Sequence, residues 1–138
     1  MAQINAYLTF GGKCREAMNF YKESLGGELE FIVIEDSPMA QHFPAELQKS
    51  ILHASLTKGD LMFMATDMIG PDGIVPGNNV ALTITATSEE EMNDFFSALS
   101  LGGRVTHALE DFFAGRMGSL VDKFGIYWSV FYDINSGK

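Results

Sequence analysis

Two stretches of the chain, EAMNFYKES at positions 16–24 and EEMNDFFSA at 90–98, agree at Glu, Met and Asn, and each runs on into a Gly-Gly pair. The second copy carries two extra residues before its glycines. Around both stretches the same order recurs: an alternating segment, a helical stripe, Gly-Gly and a hairpin signal. A repeat of this kind means that one supersecondary unit is used twice, and the unit written here is βαβββ. A chain of 138 residues is long enough for one domain, or for two small half-domains fused around a common sheet. The expectation is therefore one domain over 1–138, made of a module at about 1–68 and a module at about 78–135. The segment DMIGPDGIVPGN, where Gly and Pro bunch, joins them.

Within the first module, Ile4, Ala6, Leu8 and Phe10 alternate with Asn5, Tyr7 and Thr9, the period of a half-buried strand. Cys14, Ala17, Met18, Tyr21 and Leu25 then recur at helical spacing, and Gly26-Gly27 stops the helix. ELEFIVIE reads as a strand, DSPMAQHFPAELQK as a loop, and SILHASLT with DLMFMAT as two strands turning through Lys58-Gly59-Asp60. The second module restarts with the strand NVALTITA and a helix whose Ser88 precedes Glu91 in a capping-box pattern, with Met92, Phe95, Phe96 and Leu99 on one face. RVTHAL, SLVD and GIYWSVFY are its further strands, with EDFFAGRMG between the first two. KGDLMF and KFGIYW are then one hairpin in two copies.

Composition narrows the function classes. Apolar runs are interrupted well before the ~18 residues of a membrane span, and the start MAQINAYLTFGG has no signal-peptide pattern. The single cysteine, Cys14, rules out an intrachain disulfide and a thiolate-built zinc site, so a reducing cytoplasm is the expected location. Cys14 falls on the helical stripe and reads as a small core hydrophobe. A formal charge of −9 repels nucleic acid and anionic lipid and favours a cationic ligand. The chain has no dinucleotide fingerprint, Walker loop, HExxH or nucleophile elbow.

YLTFGGKCREAMNFYKESLGGELE, ILHASLTKGD and LGGRVTHALEDFFAGRMGSLVDKFGIYW together resemble the vicinal oxygen chelate superfamily of glyoxalase I, bleomycin-resistance proteins and extradiol dioxygenases, and within it the PhnB-like branch. The resemblance implies an α+β fold in which two βαβββ modules form a curled mixed sheet with a concave cleft, in a homodimer. It also implies that the last strand of each module lines that cleft, so that Trp128 shapes a pocket wall as well as a core.

Metal-dependent members hold a divalent ion with His, Gln or Glu from the first and last strands of each module. Carrying that pattern over places Asn5 and Asn79 on the first strands, and Phe63 and Ser129 on the last. Phe cannot coordinate, and an amide oxygen or a Ser hydroxyl binds weakly. No cofactor is expected on these grounds; a divalent metal remains the minor alternative. Asn5 and Asn79, with Tyr7 nearby, are expected to meet a polar ligand across the cleft.

His53 stands where the branch tends to carry a His and is a candidate general base, relocated metal ligand or ligand contact. Arg116 is a candidate clamp for a carboxylate or phosphonate, or the partner of Glu110 or Asp111 in a surface ion pair. His107 stands near Glu110 and Asp111 in sequence, but alternation puts His107 and Leu109 on one face, so nearness along the chain does not by itself make a site. His42 lies in the long loop, where it caps the cleft or, the preferred reading, is solvated. Met62, Met64 and Met68 suit an adaptable ligand pocket but read more readily as core. PhnB-like chains sometimes carry the label of a ubiquinone-pathway methyltransferase. Methyl transfer from S-adenosylmethionine normally needs a nucleotide-binding α/β layer, for which two βαβββ modules leave no room.

The leading expectation is a protein that binds a small polar or cationic molecule in its cleft without tightly bound metal. The alternative is a lyase, isomerase or other enzyme of this superfamily with a site rearranged around His53, and enzyme activity is left open. A third possibility is an interaction module whose cleft is filled by its own side chains.

Overall fold

The computed structural model describes residues 2–133. The chain divides into two compact units, Met1–Val75 and Pro76–Lys138. Unit 1 runs β1 (Ala6–Thr9), α1 (Cys14–Leu25), β2 (Glu28–Val33), three short 3-10 turns between Ile34 and Leu47, β3 (Ile51–Lys58) and β4 (Leu61–Thr66). Unit 2 repeats this as β5 (Leu82–Ala86), α2 (Glu89–Ser100), β6 (Arg104–Phe112), β7 (Gly115–Val121) and β8 (Tyr127–Asp133). The strand orders are β1-β4-β3-β2 and β5-β8-β7-β6, the same βαβββ topology twice. In each unit the first strand is parallel to the last and the remaining pairs are antiparallel.

One expectation is corrected here. The strands do not form a curled mixed sheet around a concave cleft; they form two separate four-stranded sheets, each open, with β1 and β2 at the edges of one and β5 and β6 at the edges of the other. The reason lies in the pairing. Because β1 pairs with β4, and β5 with β8, every ladder is satisfied inside its own unit. Among the described residues the edge strands of one sheet do not pair with each other or with those of the other, so neither sheet closes.

The helices form where the stripes predict. Met18, Tyr21 and Leu25 of α1, and Met92, Phe95 and Leu99 of α2, are the same repeat positions, and all are buried against their own sheet. Cys14 is fully buried, and burial followed by the nearby Asp67 charge pushes its thiol up to about 12, so it is an inert part of the core. At the start of α2 the Glu91 N–H donates to Ser88 Oγ at 3.0 Å, while the Glu91 carboxylate accepts from the Thr87 N–H at 2.9 Å.

The repeated Gly-Gly has two jobs. Gly26 and Gly102 take positive φ values of 82° and 77°, which let the chain leave the helix. The second glycine lies against a strand backbone: a Cβ on Gly27 would sit 2.6 Å from the Thr57 carbonyl oxygen, and one on Gly103 would sit 2.1 Å from that of Val121. Thr57 and Val121 belong to equivalent strands, so the dipeptide recurs because the same close approach recurs.

The Gly-containing stretch EDFFAGRMG forms the end of β6, a tight turn at Phe113-Ala114 and the start of β7. The first strands are shorter than expected, so Asn5 and Asn79 precede β1 and β5 and are not part of them.

Candidate functional site

Each helix covers one face of its sheet and leaves the other open. Strand alternation assigns side chains to the two faces. In unit 1 the register carries Tyr7, Met64, Ser55 and Glu30 in one row across all four strands of the open face, with His53 on the same face beside Ser55. The Tyr7 and His53 rings meet edge to face, their centroids 5.8 Å apart and their planes at 90°. Phe63 lies on the opposite face, buried against Tyr21 of α1 at a ring separation of 5.6 Å. Met62 and Met64 are half-buried on the open face, where they line it as well as fill space.

In unit 2 the corresponding row is Thr83, Ser129, Ser119 and His107. Next to it run Glu110, Met117 and Phe131. β6 is irregular: its register shifts between Val105 and His107 and again between His107 and Glu110. These irregularities break the regular alternation. Leu109 therefore turns to the helix side, where a Cβ on Gly118 would meet both Leu109 and Phe96 of α2. His107 and Glu110 instead line one pocket of about 270 Å³ with Phe112, Met117 and Ser119. The Phe112 ring packs on Phe131 at 5.7 Å, which fixes the aromatic wall.

The other anticipated residues fall as follows. Arg116 reaches back across the β6–β7 hairpin to Asp111, with Nη1 donating to Oδ1 at 2.9 Å. Trp128 is buried on the helix side, and its indole N–H donates to Asp122 Oδ2 at 2.8 Å. The buried Ser129 hydroxyl donates to the Gly118 carbonyl at 3.5 Å. Asn5, Asn79 and His42 are exposed.

The four positions that the resemblance assigns to a metal carry residues that do not suit one. Phe63 offers no donor and is packed in the core, the Ser129 hydroxyl is buried and is a weak ligand, and the two exposed asparagines offer only weak amide oxygens. Among the described residues no three His, Cys, Asp or Glu side chains converge.

Two buried carboxylates, not anticipated from the sequence, organise the loops. Asp67 Oδ1 accepts from the N–H groups of Gly12 and Cys14 at 2.7 and 2.8 Å, and Oδ2 accepts from Ile51 at 2.9 Å. Asp122 Oδ1 accepts from the N–H groups of Phe124 and Ile126 at 2.8 and 3.1 Å.

A helix laid over a mixed four-stranded sheet, used twice in one chain, is the architecture of the glyoxalase/bleomycin-resistance/dioxygenase proteins, the vicinal oxygen chelate superfamily. Residues 2–131 match the model of the family described as 3-demethylubiquinone-9 3-methyltransferase, and the chain belongs to that family, in the PhnB-like branch of the superfamily. The chain is similar to protein PA1353 from Pseudomonas aeruginosa, with 34% identity, 96% of this chain and 98% of that one covered, and a TM-score of 0.83. It is also similar to the PhnB protein of Bacillus cereus, described as a 3-demethylubiquinone-9 3-methyltransferase, at 27% identity, 95% and 99% coverage and a TM-score of 0.70. Protein YjdN of Escherichia coli (strain K12) is 26% identical over 140 residues, covering 92% of each chain.

Proposed function

We propose that the chain binds a small organic cation or polar molecule on the open faces of its sheets, and that the pocket formed by β6 and β7 is the principal site. The observation that carries this reading is the grouping of the Glu110 carboxylate with the Phe112 ring and the Met117 thioether in one pocket of about 270 Å³. A carboxylate beside an aromatic face is suited to an ammonium group with attached carbon: the charge is attracted by both, and the carbon packs on the thioether. A chain of net charge −9 favours the same sign of ligand. Tyr7 and His53 on the open face of unit 1 offer a second polar surface.

The working form in this reading is a homodimer, as the resemblance to the superfamily implies, in the reducing cytoplasm that a single cysteine suits; no helix of the described residues is long and apolar enough to cross a membrane. Methyl transfer, the activity in the family's description, is not adopted. Among the described residues each unit has a single α-helix on one face of its sheet, which leaves no doubly covered layer for a nucleotide cofactor.

The test is calorimetric titration with choline and with its neutral isostere 3,3-dimethylbutan-1-ol. Choline is expected to bind, and Glu110→Gln to weaken it about fivefold to tenfold with little effect on the alcohol. Equal binding of the two compounds, unaffected by the substitution, would remove the charge recognition on which the reading rests.

A second reading is favoured by the edge-on contact of Tyr7 and His53: a base and a phenol side by side on an open face suit proton transfer in a lyase or isomerase. In that case the protein should catalyse deuterium exchange at carbon in dihydroxyacetone or pyruvate, and His53→Ala should reduce the rate about 100-fold. Exchange no faster than buffer with the intact protein sinks this reading.

A further inference from the structure

We infer that unit 1 carries a site for a small oxyanion, a carboxylate or phosphate group, beside the first turns of α1. A pocket of about 480 Å³ lies there, lined among others by Arg15, Asn19, Lys49 and Ser50. The Arg15 guanidinium lies over the Phe31 ring, 4.9 Å from its centroid, and among the described residues it makes no hydrogen bond or ion pair. The contact holds the guanidinium against the ring and leaves its N–H groups unused, and a guanidinium with free N–H groups suits two oxygens of one anion. Asn19 stands one helical turn further along the same helix face and adds an amide donor.

Lys49 and Ser50 come from the segment entering β3 and close the other side. The Lys49 ammonium holds Glu35 at 2.8 Å, but this pair is largely exposed, and such pairs exchange at little cost. Two further carboxylates line the pocket. Asp67 is occupied, its oxygens accepting from the N–H groups of Gly12, Cys14 and Ile51. Glu16 is exposed and repels an anion, which gives the proposal its sharpest test. The site is separate from the pocket on β6 and β7, which belongs to the other unit.

The experiment is a two-dimensional NMR titration of the intact protein with sodium phosphate and, separately, sodium acetate, each against sodium chloride at equal ionic strength. Saturable shifts are expected at the Ser50 amide and the Asn19 side-chain amide. Arg15→Ala should weaken binding about fivefold or more, and Glu16→Gln should strengthen it about twofold. Saturation by phosphate alone assigns a phosphate-bearing ligand, and by acetate alone a carboxylate. Shifts that follow ionic strength without saturating, or saturation indifferent to Arg15→Ala, overturn the site. Arg15→Gln provides the same readout should the alanine variant disturb packing on Phe31.

Discussion

Asp67→Ala is expected to destabilise the protein by about 3–5 kcal/mol, read as a fall in the urea midpoint. Asp67 is 7% exposed, and its carboxylate takes three backbone N–H groups from two separate segments, the turn into α1 and the start of β3. Hydrogen bonds to an ionised acceptor are worth roughly 1.5–3 kcal/mol each, and a buried donor left without a partner costs about 1–3 kcal/mol, though the three share one acceptor and do not add. Set against a typical total of about 5–15 kcal/mol, the loss is a large part of the whole. No side chain at Lys13, the N-cap of α1, replaces it. The change has a second readout in Cys14, whose N–H is one of the three and whose thiol burial pushes up to about 12. In Asp67→Ala the thiol should react readily with a disulfide reagent at pH 8, where the intact protein is slow. Retained stability with an unreactive thiol would mean that the turn is held by other contacts.

The architecture was readable because it is written twice. The paired helix stripes, the capping box at Ser88 and the Gly-Gly dipeptides are local signals, and local signals survive without tertiary information. The open sheets were not readable in this way. Both strand pairing inside a unit and a curl across units satisfy the same alternation, so periodicity cannot choose between them, and the resemblance supplied the choice that the register corrects.

The candidate site was legible in part. Tyr7 and His53 lie on the open face of unit 1, whereas Phe63, one residue from Met64 in the register, is turned into the core. In unit 2 regular alternation separates His107 from Glu110, and the irregular register of β6 reunites them at one pocket. A bulge leaves little trace in a single sequence, because one extra residue in a strand changes which face the following side chains take without changing the composition that marks the strand. Arg116 could be read equally as an anion clamp or as an ion pair, and its partner across the hairpin is Asp111.

Asp122→Ala should cost about 3–4 kcal/mol, and the reason explains why a polar turn leads straight into the aromatic strand β8. In DKFGIYW the Asp is 3% exposed. One of its oxygens holds the N–H groups of Phe124 and Ile126, closing the turn, and the other accepts the Trp128 indole N–H at 2.8 Å. The Asp122 N–H donates to Ile126 O at 2.9 Å and the Gly125 N–H to Asp122 O at 3.0 Å, so backbone and side chain fold the same turn. A buried indole needs an acceptor, and Asp122 at the head of the turn supplies it, five residues before β8 begins at Tyr127. Asp122→Asn separates charge from shape: the amide can still accept from the turn, but its NH₂ then faces the indole donor. Its expected loss is about 2 kcal/mol, with a change in Trp128 fluorescence. In Asp122→Asn/Trp128→Phe the opposing donor is gone, and part of that loss should return. A double variant no more stable than the sum of the two single losses predicts would show that the carboxylate serves the turn alone.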